Sequence, residues 1–214
     1  MLKASRSVTA GKWSVASDSR ALGGVKVRHA DGGSEKILTA AARPKDYFEL
    51  TFTAQANRPY RLWLRPKAQN NPYANDSVYV QFSGSVTSAG AATNRIGTTQ
   101  AEAVVLEDCG GCGVSGWGWQ DNGYGTGVLG PALYFTAGTQ TIRIQGREDG
   151  ISIDQIVLSP KTYLTSSPGS TKNDATILPQ SAAAGTVVRY AAQAIPHGAW
   201  RVVGDTAAPR GRRV

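Results

Sequence analysis

Apolar and polar residues alternate over several short segments of the chain, which is the pattern of a β-strand with one buried face. The clearest segment is 47–54, where Phe48, Leu50 and Phe52 share one face. The same reasoning predicts further strands over 13–16, 25–29, 60–65, 77–82, 103–106, 132–135, 139–145 and 151–158. No segment keeps a helical period over three turns. Many short strands separated by turn residues predict an all-β sandwich of two antiparallel sheets.

Length and composition favour one domain with additional segments. The chain has 214 residues, of which 41% are apolar, 18% are charged and 25 are glycines. That apolar fraction is too high for a disordered chain, and so many glycines suit turns between short strands better than a helical bundle. We expect the sandwich domain over 1–160, ending at Pro160, and a linker rich in Ser, Thr, Pro and Gly over 161–186.

The end of the chain repeats its beginning. Residues 190–214 match residues 3–27 at a constant shift of 187 positions, and both copies contain Gly-x-Trp-x-Val followed by Asp. A repeat this long predicts tandem domains, with 187–214 as the truncated start of a second copy. We expect this piece either to be disordered or to add a strand to a sheet edge. The edge would belong to this molecule or to a neighbour, which includes strand exchange or a dimer.

The charge pattern argues against nucleic acid as a partner. The formal net charge is +8, but residues 189–214 contain five Arg and one Asp and so supply +4 of it, with the rest spread thinly. No basic stripe interleaved with aromatic residues is visible. The sequence also has no signal peptide, transmembrane run or lipidation motif, and we expect no membrane partner.

A glycine-rich stretch over 108–125 carries the candidate chemistry of the chain. Its glycines disfavour helix and strand, which predicts a surface loop, here called the aromatic loop. Exposed rings beside amides and carboxylates suit a sugar, whose C–H groups lie on rings while its hydroxyls bond to polar side chains. The alternative is that the tryptophans fold inward and plug one end of the core. The candidate binding residues in this loop are Trp117, Trp119, Gln120, Asp121, Asn122 and Tyr124.

Both cysteines of the chain, Cys109 and Cys112, lie in the aromatic loop with two glycines between them. Only two histidines are available to complete a zinc site, and the glycines that follow do not open the helix of a thioredoxin-like motif. A small disulfide that braces the loop is the favoured interpretation, and it predicts an extracellular or periplasmic location. A secreted protein would have lost its signal peptide, or this sequence is an internal piece of a longer chain.

Several motifs occur in an order that resembles the galactose-binding-like β-sandwich carbohydrate-binding modules, notably families 6 and 35 and malectin-like modules. The motifs are YRLWLR at 60–65, NDSVYV at 75–80, the two tryptophans of the aromatic loop, GTQTIRI at 138–144 and REDGISIDQIVL at 147–158. The resemblance covers about residues 3–160. It implies a jelly roll of two antiparallel sheets, with ligand bound among loops at one end.

The resemblance also implies where ligand contacts would lie on this chain. Tyr73, Asn75 and Asp76 would form one side of the site, and the aromatic loop would form the other. Arg65 ends its strand near that rim, where the alternative is a structural ion pair with Asp76 or with Glu148.

Relatives in these families often hold a structural calcium ion between the opening segment and the closing strand. The matching residue here is Asp154, and Asp18 is a second candidate ligand. One or two carboxylates make a weak site, because calcium takes about six or more oxygen ligands. We therefore expect no required cofactor and treat calcium as an open alternative.

Residues for catalysis are sparse. A glycosidase needs two carboxylates about 5–10 Å apart across a cleft, and Glu107, Asp108 and Asp121 are candidates only by their closeness in sequence. The Gly-x-Ser-x-Gly motif of serine hydrolases is absent. We expect a non-catalytic carbohydrate-binding module of a secreted multidomain protein that binds polysaccharide or oligosaccharide. The alternative is a structural or adhesion module that contacts protein through the same loops or the sheet face around Trp63.

Overall fold

The computed structural model describes residues 7–179 and four short segments beyond them, 187–190, 194–196, 203–204 and 212–213. Regular structure in these residues is β-strand, apart from single turns of 3-10 helix at Leu22–Gly24 and Tyr73–Asn75. The strands are β1 Ser7–Ala10, β2 Trp13–Ser17, β3 Val25–His29, β4 Tyr47–Ala54, β5 Arg61–Ala68, β6 Ser77–Phe82, β7 Ser85–Val86, β8 Glu102–Val105, β9 Tyr134–Phe135, β10 Gly138–Gly146, β11 Ile151–Ser159, β12 Val187–Tyr190, β13 Ala194–Pro196, β14 Val203–Gly204 and β15 Arg212–Arg213.

Two main sheets pack face to face. Sheet A has the strand order β13-β1-β4-β10-β6-β8, and sheet B has the order β12-β11-β3-β2, with β5 paired to β11 as well. Neighbouring strands run antiparallel, except that β13 lies parallel to β1. The predicted all-β sandwich of two antiparallel sheets is therefore confirmed.

The alternation in the sequence correctly predicted which side chains fill the space between the sheets. The apolar positions of β4 and β6 are each at most 2% exposed and belong to one buried cluster. Removing such side chains from water is the main force that holds two sheets together. The cluster also contains residues from β2, β5, β10 and β11, among them Trp13, Leu62, Leu64, Ile142, Ile144, Ile153 and Ile156.

A third layer covers the outer face of sheet B. Residues 161–179, here called the strap, run across this face, and as a result β5 and β11 are buried on both sides along most of their length. Trp63, Trp119, Val157 and Leu178 form a second apolar cluster there. The predicted linker is therefore wrong for 161–179, because the few apolar residues of this polar segment are used to cover the sheet. Residues 180–186 lie outside the described part of the chain.

Strands β12 and β13 extend the sheets at their edges. β11 changes register between Ile153 and Gln155; before this point it pairs with β3, and after it with β12. Val187, at the start of β12, packs against the main core. β13 lies beside β1 at the edge of sheet A. Strands β12 and β13 thus add to sheet edges of their own chain, whereas β14 and β15 pair with each other. A second copy of the domain stays a prediction.

Candidate functional site

The aromatic loop is held between β5 and the strap, so its two tryptophans are not on the surface. The amide of Gly118 bonds to the carbonyl of Pro66, and Gln120 forms a two-way bridge with Leu64, which extends sheet B by a short stretch. On the other side, the amide of Trp119 bonds to the carbonyl of Ser170. Trp117 is 2% exposed and Trp119 is fully buried. The expected exposure of both rings is wrong.

The strap is the physical reason for this burial, because its backbone carbonyls accept hydrogen bonds from buried indole N–H groups. The indole N–H of Trp119 donates to the carbonyl of Thr176 at 3.1 Å, and that of Trp63 donates to the carbonyl of Tyr163 at 2.7 Å. A buried indole N–H is stabilised by such a hydrogen bond. Gly118 also has a packing role, because a Cβ atom at this position would overlap the carbonyl oxygen of Thr171.

The tip of the aromatic loop is the part that reaches solvent. The predicted disulfide between Cys109 and Cys112 is formed, and the Thr126 hydroxyl lies 3.6 Å and 3.8 Å from the two sulfur atoms. Tyr124 is 56% exposed, as expected from the sequence. Two apolar side chains that follow the aromatic loop in the chain, Val128 and Leu129, are also exposed. This tip therefore presents one aromatic ring and two aliphatic groups to solvent.

The three polar candidates of the aromatic loop are already used by the protein. Gln120 and Asp121 are buried, and Asn122 is half-buried. The Gln120 amide donates to Asp108, and Asn122 donates to the carboxylate of Glu102 at 2.8 Å. Asp121 accepts from the amides of Gly123 and Gly130 and lies 3.4 Å from a guanidinium nitrogen of Arg61. These contacts fix the loop, and they leave few polar groups of these residues for a ligand.

On the neighbouring loop the structure separates Tyr73 from Asn75 and Asp76. Tyr73 is 72% exposed, whereas the other two are buried. Asn75 donates to Asp31 at 3.0 Å, and Asp76 accepts from the amide of Glu107 at 2.8 Å. That these residues form one side of a binding site stays a prediction. Of the three, only Tyr73 has a side chain open to solvent.

Asp76 lies against a second carboxylate, Glu148, in this end of the sandwich. Burial raises the pKa of Asp76 to about 7, and the negative charge of Glu148 adds to this effect. Burial also opposes ionisation of Glu148, but hydrogen bonds from Lys36 and Ser77 outweigh it and hold the pKa of Glu148 below its usual range. The pair connects four loops, because Lys36, Ser77, the Asp76 amide and the Glu107 amide all bond to these two carboxylates.

Arg65 does not lie at the rim and pairs with neither Asp76 nor Glu148. Its side chain is completely buried and donates from Nη1 to Asp154 at 2.6 Å. Nη2 donates to the backbone carbonyl of Asp174 in the strap at 2.9 Å. The alternation that places Leu62 and Leu64 inward points Arg65 outward, and the strap then encloses it. The predicted ion-pair partners Asp76 and Glu148 are wrong: the close partner is Asp154, which the sequence analysis assigned to calcium, and the second contact, Asp174, lies in the segment interpreted as a linker.

The two carboxylates proposed for calcium are both neutralised by basic side chains. Asp154 binds Arg65 and accepts from the amide of Leu22 at 3.1 Å. Asp18 lies 3.0 Å from the ammonium group of Lys26 and 3.4 Å from that of Lys67. Burial opposes ionisation of Asp18, but hydrogen bonds from Lys26 and the Arg20 amide, together with the charges of Lys26 and Lys67, outweigh it and lower the pKa. Calcium takes about six to eight oxygen ligands, and this pair does not fit it. In the described part of the chain, no three His, Cys, Asp or Glu residues are grouped as metal ligands.

A pocket opens where the aromatic loop, the β2–β3 turn and the strap meet. Its volume is about 320 Å³, and Trp117 forms part of its wall. The indole N–H of Trp117 is buried without a hydrogen-bond partner. Arg20 is exposed at the pocket, and within the described residues its guanidinium has no hydrogen bond or ion pair. The remaining lining residues are Gly116, Asn173, Asp174, Ala175 and Ile177.

Three cations surround the ring of Trp117. The guanidinium of Arg65 lies 5.0 Å from the ring centroid, and the ammonium groups of Lys67 and Lys26 lie at 5.7 Å and 5.8 Å. Cations at this distance are attracted to the electron-rich ring face. Because only 2% of Trp117 is exposed, its ring face is not open for a ligand to stack on.

Sequence reasoning missed most of this pocket. Trp117 was a candidate, but Arg20 and the strap residues were not. The one available signal was the pair Ile177-Leu178, two apolar residues in a segment otherwise rich in Ser and Thr.

In the described part of the chain, no helix is long and apolar enough to cross a membrane.

Comparison with known proteins gives only distant similarities. No family model matches the chain, and no curated protein is found as a relative. Among solved structures, the chain is similar to a family 35 carbohydrate-binding module from Clostridium thermocellum, with 12% identity and a TM-score of 0.35 over 72% of this chain and 91% of that one. It is also similar to an exo-β-1,3-galactanase from Phanerochaete chrysosporium in complex with galactose, with 14% identity and a TM-score of 0.35 over 71% of this chain and 27% of that one. The resemblance seen in the sequence named the first of these families; at this level of likeness neither structure bears on a ligand or a site.

Proposed function

We propose that this protein is a non-catalytic carbohydrate-binding module and that a saccharide binds in the pocket beside Trp117. The proposal rests on two residues that line one pocket: Trp117, whose buried indole N–H has no hydrogen-bond partner in the described residues, and Arg20, whose guanidinium makes no hydrogen bond or ion pair there. An unpaired buried donor is unfavourable unless something fills its hydrogen-bonding capacity. A ligand oxygen would satisfy both groups.

The size and lining of the pocket favour a small polar ligand with some apolar surface. About 320 Å³ is at the small end of the range for ligand pockets. Trp117 and Arg20 donate hydrogen bonds, which suits the hydroxyl and ring oxygens of a sugar. Ile177, 37% exposed, supplies an aliphatic wall for C–H groups. The site then binds through donors on its floor and rim, and not through ring stacking as the sequence suggested.

The proposal also covers where the protein acts and what it does for a larger protein. The protein acts outside the cytoplasm, where the Cys109–Cys112 disulfide persists, and it holds a larger protein on polysaccharide. A single small pocket gives weak affinity, so tandem copies would raise retention through effective concentration. Two exposed tyrosines outside the pocket lining, Tyr124 and Tyr73, are candidates for contact with further sugar units of a longer chain.

The experiment is a screen of soluble and insoluble glycans, followed by titration of any ligand found. Arg20→Ala is the principal variant, because in the described part of the chain its guanidinium makes no hydrogen bond or ion pair that the substitution would break. We expect it to weaken binding about ten- to a hundredfold, since a hydrogen bond to a charged donor contributes about 1.5–3 kcal/mol. Arg43→Ala is the matched control: Arg43 is also an exposed loop arginine, outside the pocket lining, and its loss should leave affinity unchanged.

Trp117→Phe removes the indole N–H and keeps an aromatic ring at the same place. We expect this variant to lose binding while circular dichroism and the unfolding midpoint show a folded protein. If both pocket variants bind like the parent while Tyr124→Ala does not, the ligand lies on the tip of the aromatic loop and the pocket assignment is wrong.

A second function has one observation in its favour. Tyr124, Val128 and Leu129 form an exposed apolar group on a loop braced by the disulfide, and such groups are typical of protein contacts. An absence of binding to every glycan, with a protein partner recovered through this loop, would establish an adhesion or structural module instead.

A further inference from the structure

Residues 190–214 repeat the opening of the chain without a gap. The shift is 200 − 13 = 187 positions, and it aligns the tryptophans Trp13 and Trp200. A single register maintained over this length is what a duplicated segment produces, and chance matches do not keep one register. The identical pairs are Ala4/Ala191, Gly11/Gly198, Trp13/Trp200, Val15/Val202, Asp18/Asp205, Ala21/Ala208, Gly24/Gly211 and Val27/Val214.

The strands of the two segments follow the same shift. β1 begins at Ser7, and β13 begins at Ala194, which is 187 positions later. β14 at Val203–Gly204 corresponds to the last two residues of β2, and β15 at Arg212–Arg213 corresponds to the first two residues of β3. The second segment therefore forms strands at the positions that the first segment predicts for it.

The hairpin pairing also repeats. In the first copy, Ser17 of β2 pairs with Val25 of β3, and the equivalent residues Gly204 and Arg212 pair in the second copy. The preceding pairs, Ala16 with Lys26 and Val203 with Arg213, agree as well. Because a slip of one residue would turn every side chain to the opposite face, a conserved register indicates the same local fold.

The first strands of the two copies lie next to each other. β13 pairs in parallel with β1, and the partners are Ser7 with Ala194 and Val8 with Ile195. Each pair is again separated by 187 positions, so equivalent residues of the two copies lie opposite one another. We propose that β1 is a docking edge for the first strand of a second copy of this fold, and that β13, β14 and β15 are the beginning of that copy.

The edge position of β1 gives a physical reason for this contact. Without β13, strand β1 would be the last strand of sheet A, with unpaired N–H and C=O groups along one side. Such an edge pairs readily with any available strand. Pro196 at the end of β13 has no N–H to donate, which is tolerated in a strand that itself ends a sheet.

The connection between the copies is anchored on both sheets. β12 pairs with β11 of sheet B over four residues, and β13 begins four positions after Tyr190, the last residue of β12. Val187 packs into the core of the first copy. A junction held by two strands fixes the orientation of the second copy, whereas a flexible linker would leave it free. This inference does not depend on which ligand the module binds.

A disulfide cross-link tests the pairing directly. Neighbouring strands lie about 4.8 Å apart, within the Cα separation that a disulfide accepts, so Val8→Cys with Ile195→Cys should form one intrachain bond under mild oxidation. Peptide mapping by mass spectrometry distinguishes it from the native Cys109–Cys112 bond. The control pair is Val8→Cys with Val203→Cys, because β14 does not pair with β1; it should not cross-link.

Hydrogen exchange gives a second readout without new cysteines. Deleting residues 191–214 should speed exchange of the β1 amides, while the amides of β10, in the middle of sheet A, stay protected. Cross-links found only between molecules, or no cross-link in the Val8/Ile195 pair, would overturn the proposal. Unchanged exchange of β1 after the deletion would overturn it as well.

Discussion

The burial of Arg65 leads to a strong prediction about stability. Its guanidinium joins three parts of the molecule: the Asp154 carboxylate in β11, the Arg20 carbonyl in the β2–β3 turn at 3.2 Å, and the Asp174 carbonyl in the strap. Arg65→Met keeps most of the side-chain length and removes all of these donors. Asp154, whose side chain is 1% exposed, would then be a buried carboxylate with only the Leu22 amide as partner.

The expected loss is large because of what remains after substitution. Removing one partner of a buried ion pair costs about 3–5 kcal/mol, since the other charge is left without compensation. A domain of this size has a free energy of unfolding of about 5–15 kcal/mol. Arg65→Met should therefore be close to the limit of folding. The double variant Arg65→Met/Asp154→Leu should recover much of the loss, because the uncompensated charge of Asp154 is then gone. The second carboxylate near Arg65, that of Asp174 at 3.8 Å, keeps its hydrogen bonds from the backbone amides of Ser170 and Thr176.

The assay is equilibrium unfolding in urea, followed by tryptophan fluorescence. The matched control is Arg143→Met, because Arg143 pairs with Glu49 at the same 2.6 Å, but the two side chains are 15% and 21% exposed. A pair near solvent contributes about 0–1 kcal/mol. Equal losses in Arg65→Met and Arg143→Met would refute the reasoning from burial. A double variant no more stable than Arg65→Met alone would also refute it.

Two further predictions concern the strap and the carboxylate pair. Leu178→Ala should lower the free energy of unfolding by about 2–3 kcal/mol and speed proteolysis within 161–179, because Leu178 packs on Trp63 and Trp119. The control is Ile177→Ala: Ile177 is exposed, so this variant should change the free energy of unfolding by less than about 0.5 kcal/mol. Equal losses in the two variants would contradict the packing of the strap. Asp76 has a folded pKa raised to about 7 from 3.8, so the native state binds its proton more tightly, and the stabilisation from Asp76 is lost as the pH rises from about 4 to 7. The lowered pKa of Glu148 changes stability with pH in the opposite direction, and only near or below its ordinary value of 4.5. Asp76→Asn should therefore remove the fall in stability between pH 5 and pH 8. Thermal melts of both proteins across this range check the prediction, and the same pH dependence in the parent and the variant would contradict it.

Strands with one buried face and one solvent-facing side were the part of the fold that the sequence could predict. In β4, Phe48, Leu50 and Phe52 are buried in the core, and alternation records that difference directly. The closing strand β11 was located by its turn residues and by the family resemblance. Its burial on both faces had no such signal in a single strand, because it depends on whether another segment covers the sheet.

The strap and the tryptophans were missed for one shared reason. Composition predicts flexibility when apolar residues are few. In the strap, however, Tyr163 and Leu178 are enough to hold the segment in place, because they pack against a cluster that contains Trp63 and Trp119. The contacts that bury Trp119 join residues about 57 positions apart, as in its bond to Thr176. Local pattern holds no information about contacts at that separation. The same holds for Arg65 and its partner Asp174.

Two glycines, Gly118 of the aromatic loop and Gly169 of the strap, are explained by close packing between these layers. A Cβ atom at Gly118 would overlap the Thr171 carbonyl, and one at Gly169 would lie 2.7 Å from Cδ1 of Trp119. The wall of the pocket is thus assembled from two segments that are held together along their length. Trp117 comes from one segment and Asn173 from the other, with the carbonyl of Trp117 accepting the amide of Asp174. Because the pocket exists only while the strap is docked, a ligand that binds there stabilises the docked strap by the same free energy with which docking favours the ligand.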